Sequence, residues 1–305
     1  MFNNKKVAVV TGSSTGIGFE TCLALAHEGY LTYATMRDTK KSKEIERITH
    51  HDKNLQIKII EMDVDKDDSV KNAIEKIIDE NGRIDILVNN AGYGLFGAIE
   101  DLSVSEIKNQ FETNVFGIIR VTQNVLAIMR RQTNGVIVNI SSISGLVGIP
   151  SQSSYVATKF AGEGLSESLS YELEPFGIKI ILIEPGVINT NFVQSLIVPT
   201  NMYKIEKNKD KVDQNEFDMD NTSLSPYNNT IKKFLSFYYN AMNNAPNPQI
   251  VANEIIQGIK KVINEKNTLP LLRITVGKDS EKYSKLKKKL SDNKFYELIK
   301  EELLK

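Results

Sequence analysis

A doubly wound parallel α/β sheet with helices on both faces is the fold predicted for these 305 residues, on three observations. Short runs rich in Val and Ile alternate with longer stretches of helical period. Several of the runs are apolar at consecutive positions, as strands covered on both faces require. The first run passes through a glycine-rich turn directly into a helical pattern.

The elements follow in order. "KVAVVT" (6–11), "LTYATM" (31–36), "QIKIIEM" (56–62), "DILVNN" (85–90), "GVIVNI" (135–140) and "IKIILIE" (178–184) read as strands, with "LLRIT" (271–275) as a last candidate. "DSVKNAIEKIIDENG" places Val70, Ala73, Ile74, Ile77 and Ile78 on one stripe and stops at Gly82. "SVSEIKNQFETNVFGIIRVTQNVLAIM" opens with Ser103 and Glu106 in capping-box spacing and then runs long, as one helix. From about Asn191 the rhythm breaks. The charged run 201–223 reads as a mobile excursion, while 231–242 and 249–263 return to helical patterns. The expectation is one domain over 1–305: a core over 5–190, a substrate lid over 191–248, and C-terminal helices and tail over 249–305.

Lys+Arg and Asp+Glu are both 38, so no net field favours nucleic acid or an anionic membrane. The single cysteine, Cys22, makes no internal disulfide and no cysteine cluster for zinc, which fits a reducing compartment. The three histidines, His27, His50 and His51, have no metal spacing, so no metal is expected. The start "MFNNKKVAVV" runs straight into a strand without the marks of a targeting peptide, and no segment has the roughly 18 apolar residues of a membrane span. The cytoplasm is the expected location.

"VVTGSSTGIGFE" joins the first strand to the first helix. Gly12, Gly16 and Gly18 let the backbone turn sharply and approach a phosphate, and the helix N-terminus offers free N–H groups and the positive end of its dipole. The second strand ends "ATMRD". An acid there would accept from the ribose 2′-OH of NAD, whereas an arginine accommodates the 2′-phosphate of NADP. Met36 stands where the acid is expected and Arg37 follows, so NADP(H) is favoured over NAD(H), with Asp38 as the competing acceptor. Asp63 is placed either to meet adenine's amino group or to cap the next helix.

"SSYVATK" sets Tyr155 and Lys159 four residues apart, on one helical face. A free phenol, with a pKa near ~10, is a poor base at neutral pH. An ammonium at ~4 Å in an effective dielectric of ~20 would favour phenolate by about 4 kcal/mol, equivalent to roughly three pKa units. The expectation is therefore a tyrosine made acidic by its lysine.

"TGSSTGIG", "NNAG" (89–92), "NISSISG" (139–145), "YVATK" (155–159) and "EPGVINT" (184–190) resemble, in order and spacing, the short-chain dehydrogenase/reductase family over residues 5 to 190. The resemblance implies a Rossmann oxidoreductase that uses a nicotinamide cofactor. It implies catalytic roles for Asn114, Ser142, Tyr155 and Lys159, with Ser141 the alternative serine. Tyr155 would be the acid/base, Lys159 would hold the ribose hydroxyls, Ser142 would orient the carbonyl, and Asn114 would kink its helix and feed a water relay to Lys159. The expected cofactor contacts are Gly12, Ser14, Thr15, Gly16, Ile17, Gly18, Arg37, Asp63, Val64, Asn90, Ala91, Gly92, Tyr155, Lys159, Pro185, Gly186, Val187 and Thr190. Within that set Asn90 steadies adjacent strands, and Thr190 bonds the carboxamide.

After the "PG" turn come Phe192, Leu196, Ile197, Val198, Met202 and Tyr203, and later Phe234, Phe237, Tyr238 and Tyr239. These read as an apolar lid over a mid-sized hydrophobic alcohol or ketone, or as helix packing. The C-terminal region is similar to the hydroxysteroid and retinol dehydrogenase branch, which implies a steroid-, retinoid- or lipid-like carbonyl compound. The tail puts Leu286, Leu290, Leu298 and Leu303 on one side and lysines elsewhere. It reads as a helix docked on its own domain or a second subunit, or as a membrane-surface helix. The helices near 103–130 and 155–174 resemble those that pair subunits in the family, which implies a homodimer or homotetramer. Two rivals stand beside this reading: a non-catalytic NADP-sensing module on the same fold, and an epimerase or dehydratase with no net redox change.

Overall fold

The structure, a computed structural model, describes residues 5–192, 196–199, 225–265 and 269–304. Seven parallel strands form one sheet: β1 (Val7–Val10), β2 (Leu31–Met36), β3 (Ile57–Glu61), β4 (Ile86–Asn89), β5 (Gly135–Ile140), β6 (Ile178–Pro185) and β7 (Leu271–Val276). Their order across the sheet is β3-β2-β1-β4-β5-β6-β7. All seven strand expectations fall on strands. The chain builds outward from β1 in one direction, then returns to begin again at β4. Strand order therefore reverses between β1 and β4, and a crevice opens at their carboxyl ends.

Alternation along each strand divides the apolar residues between two faces. Val7, Val9, Tyr33, Leu87 and Ile137 lie on one face, against Val70, Ile74 and Ile77 of α3 (Asp67–Asn81) and Val121, Val125 and Met129 of α5 (Gly117–Gln132). Ala8, Val10, Met36, Ile86, Val88 and Val138 lie on the other. They pack against Cys22 and Leu25 of α1 (Gly16–His27) and Val251, Ile255 and Ile259 of α8 (Gln249–Asn264). The stripe of α3 is buried as its spacing predicts, and Gly82 ends the helix in the left-handed region at φ 71°. On the edge of the second face lies α2 (Lys43–His51), which contributes Ile45.

The long helix expected over 103–130 is broken. α4 (Val104–Phe111) opens with the expected capping box: the Ser103 hydroxyl accepts from Glu106 N at 3.1 Å, and Ser103 N donates to Glu106 Oε2 at 2.8 Å. A π-helical turn, Glu112–Phe116, then separates it from α5. Beyond β5, α6 (Ser153–Leu173) crosses to β6. Buried amides register this part of the fold. Asn89 Nδ2 donates to Asn139 Oδ1 at 2.8 Å, and Asn139 Nδ2 donates to Ser166 Oγ at 2.8 Å, joining β4, β5 and α6.

The C-terminal part adds α7 (Asn228–Asn243), α8 and β7, then α9 (Lys278–Lys289) and α10 (Asp292–Leu303). The amphipathic tail docks on its own chain. Tyr283, Phe295, Ile299 and Leu303 form a core with Ile143 and Val147, and Leu286, Leu290 and Leu298 pack against it. Met202, Tyr203 and the charged run 201–223 lie outside the described residues.

Candidate active site

Between the strand ends and the C-terminal helices lies a cleft of ≈ 1920 Å³. Its floor is the β1–α1 turn. Gly12 and Gly16 have φ of +63° and +60°, a region that other residues rarely adopt. Gly18 is required by proximity, since a Cβ there would lie 2.6 Å from Gly12 O. Asn90 Nδ2 donates to Thr11 O and Gly12 O, both at 2.9 Å, and so staples the turn to β4 as expected. Thr15, the residue before α1, makes no side-chain cap, which leaves the first-turn N–H groups facing the cleft. An uncapped, dipole-positive helix end in a glycine cradle fits a dinucleotide pyrophosphate.

Ser14, Thr15, Ile17, Asp63, Val64, Ala91 and Gly92 line the same cleft. At the end of β2, Met36 is buried and Arg37 is exposed on the cleft wall. Asp38 is turned to local work, its Oδ1 accepting from Lys40 N at 3.0 Å. Asp63 does likewise, its Oδ1 accepting from Asp65 N at 3.1 Å while its backbone amide donates to Ser69 Oγ. At the far end, Pro185, Gly186, Val187 and Thr190 also line the cleft. Val187 N donates to Asp279 Oδ2 at 2.7 Å, a contact from the start of α9 that sequence spacing does not reveal. The Thr190 hydroxyl accepts from Phe192 N at 3.2 Å.

Tyr155 and Lys159 share one face of α6, with the Lys159 ammonium 5.6 Å from the centre of the Tyr155 ring. The structure corrects the expectation of an acidic tyrosine. Burial pushes the Tyr155 hydroxyl up to about 12, and a hydrogen bond with Ser142 only partly offsets it. The Lys159 ammonium donates to Ile140 O at 2.8 Å and lies beside the ring, and burial outweighs what it offers the phenolate. The same enclosure pushes the lysine down to about 8, with Glu163 pulling it back up. Of the two adjacent serines, Ser142 is the one beside Tyr155, and it also accepts from Ser144 N at 3.1 Å.

Asn114 lies in the π-helical turn, where both N–H groups of its amide are used. Oδ1 accepts from Tyr93 N at 3.0 Å, while Nδ2 donates to Tyr93 O at 3.0 Å and to Thr158 Oγ1 at 3.1 Å. The side chain therefore holds the strand-end loop against α6 and reaches Thr158, the neighbour of Lys159, instead of the ammonium itself. The break falls at the kink that the family resemblance implies for Asn114, and its bonding partners are tertiary.

Above Tyr155 the cleft wall is aromatic. Phe96 meets Tyr155, Phe234 and Tyr238 with ring centroids 6.0, 5.8 and 5.3 Å apart, and Phe192 lies 5.9 Å from Tyr155. Leu196 and Val198 are buried in the same cluster, Phe237 and Tyr239 pack at its side, and Ile197 is exposed. Phe96 and Gln152, whose Oε1 accepts from Ser144 Oγ at 2.9 Å, escaped the sequence reading. Neither sits in a motif, and only the folded wall brings them to the site. Among the described residues no group of His, Cys, Asp and Glu is arranged to hold a metal ion, and no helix is long and apolar enough to cross a membrane.

Comparison with known proteins identifies the family of the fold. Residues 6–199 match the family described as short chain dehydrogenase. An uncharacterised oxidoreductase of Bacillus subtilis, YusZ, is 36% identical over 276 residues, 90% of each chain. A 3-ketodihydrosphingosine reductase of Bacteroides thetaiotaomicron is 41% identical over 190 residues, 62% of this chain and 66% of that one. The crystal structure of a short-chain dehydrogenase from Streptomyces avermitilis superposes with a TM-score of 0.77 at 27% identity, covering 97% of both chains. The protein belongs to the short-chain dehydrogenase family, the NAD(P)-dependent oxidoreductases of alcohols and carbonyl compounds.

Proposed function

We propose that the protein interconverts a mid-sized hydrophobic secondary alcohol, or an aldehyde-level alcohol, and its carbonyl compound with NADP(H). One observation carries the reading: Tyr155 is buried where the glycine-floored cleft meets the aromatic wall, with Ser142 beside its hydroxyl and the Lys159 ammonium beside its ring. The bound nicotinamide would supply or accept the hydride. Gly12, Ser14, Thr15, Gly16 and Ile17 would hold its phosphates, and Pro185 to Thr190 its nicotinamide end.

Tyr155 donates its proton to the carbonyl oxygen as the alcohol forms. Burial holds the phenol protonated at neutral pH, so in the resting site it carries the proton that the carbonyl oxygen needs. The Ser142 hydroxyl orients the same oxygen. Lys159, mostly protonated at pH 7 with a pKa of about 8, steadies the negative charge that develops on the phenol and offers donors to the ribose. The preference for NADP(H) rests on exposed Arg37 on the cleft wall and on apolar Met36 where an acid is expected. The aromatic wall suits a steroid-, retinoid- or lipid-like substrate. Exposed Phe116, Phe160 and Tyr171 on the helices expected to pair support a homo-oligomer, and the lone buried cysteine suits the cytoplasm.

The test follows NADPH absorbance against a panel of hydrophobic ketones and aldehydes, with Tyr155→Phe beside the parent. Turnover is expected with some of the panel. It should fall by about 10²–10⁴-fold in Y155F while cofactor affinity stays nearly unchanged. Retained turnover in Y155F removes Tyr155 from the mechanism. Tight cofactor binding with no turnover across the panel favours the sensing module.

A further inference from the structure

Tyr155, Lys159 and Glu163 follow one another at four-residue intervals along α6, so they form a row on one helix face. Glu163 is turned inward, its side chain 8% exposed. Its Oε2 is paired with the Arg273 guanidinium on β7, which also donates to Glu184 Oε1 on β6 at 3.2 Å and to Glu167 Oε2 on α6 at 2.9 Å. Oε1 is sealed from solvent. It faces the Ser141 hydroxyl at the end of β5, although the two do not reach good hydrogen-bond geometry.

The turn after β5 is shaped around this carboxylate. A Cβ on Gly145 would stand 2.7 Å from Ser141 Oγ and 2.9 Å from Glu163 Cγ. The glycine that closes "NISSISG" therefore makes room for an acid that plays no part in the motif. From the other side, Lys288 on α9 acts on Glu184.

We propose that Glu163, clamped by Arg273, is a positioning residue that keeps the Lys159 ammonium charged and in place behind Tyr155. The proposal rests on the reading of Tyr155 and Lys159 as the reacting pair. The physical need is plain: an enclosed lysine sheds its proton unless a counter-charge holds it. Among the described residues the Lys159 ammonium donates only to a neutral carbonyl, Ile140 O, and the negative charge acting on it is that of Glu163, one turn along the same helix face. Arg273 fixes that carboxylate without removing it, since burial would otherwise press Glu163 toward its neutral form.

The direction follows from the sign of the charge. The ammonium exists below the lysine's pKa and is lost as pH rises through it, so removing Glu163 lowers the pH at which it is lost. The experiment is a ¹⁵N-lysine NMR titration of the folded protein without substrate, comparing the parent with Glu163→Gln, the Lys159 signal being assigned by its loss in Lys159→Met. Lys159 is expected to titrate at lower pH in E163Q, and the high-pH limb of kcat/KM should move the same way. An unmoved titration overturns the proposal. So does activity lost equally at every pH together with a lower thermal midpoint, which is the mark of a merely structural acid. Should E163Q fail to fold, Glu163→Asp must shift the titration in the same direction by less, and no shift there overturns the proposal as well. The titration is read without turnover, so its failure is distinct from the failure of the Tyr155 reading, which Y155F tests.

Discussion

The two halves of the cleft are built on different physical terms. The cofactor half is main chain: strand ends, two left-handed glycines, and an asparagine whose amide is spent on the carbonyls of Thr11 and Gly12. The substrate half is side chain: the rings of Phe96, Tyr155, Phe192, Phe234 and Tyr238, brought together from four separate stretches of sequence. Backbone geometry admits few residues at each position, whereas an aromatic wall accepts many solutions of similar volume. One half is therefore written as a motif, and the other is free to follow its substrate.

Three substitutions sharpen or break this comparison. Gly18→Ala should do the most damage, because its methyl meets Gly12 O at 2.6 Å and a backbone carbonyl has little room to yield. A loss of about 2–3 kcal/mol is expected, read as a fall of several degrees in thermal midpoint together with weakened cofactor binding. An unchanged midpoint and affinity would show that the floor is not rigid. Arg37→Asp should come next. Charge-assisted hydrogen bonds of about 1.5–3 kcal/mol translate to a ~10–100-fold shift in the NADP/NAD preference measured by kcat/KM, and no shift defeats the assignment to the 2′-phosphate. Phe234→Leu should be mildest. It removes part of the wall at a residue 1% exposed and is expected to change KM for bulky ketones by roughly 3–10-fold, leaving cofactor affinity alone. A matching change in cofactor affinity would mean that the halves are coupled.

How far the sequence could be read varies from element to element. The strand at 271–275 follows from its apolar run and forms the sheet edge beside β6. The helix over 103–130 reads as continuous because its periodicity carries through Asn114. The break depends on bonds to Tyr93 and Thr158, which are remote in the chain. The leucine stripe of the tail marks an amphipathic helix but not its partner. The fold supplies that partner as Ile143 and Val147, directly after the serines. The spacing of Tyr155 and Lys159 places them side by side, yet the phenol's pKa moves up instead of down, since enclosure outweighs an ammonium that faces the ring and Ile140.

The sequence by itself determined the strands, the order of the motifs, the glycine turn and the shared face of Tyr155 and Lys159, because periodicity, φ freedom and i,i+4 spacing are local properties of the chain. Only the tertiary structure decided which ring stands beside which, what the tail covers, and how Tyr155 and Lys159 titrate. Those depend on burial and on charges such as Glu163 and Arg273, and Arg273 joins the group from 110 residues away along the chain.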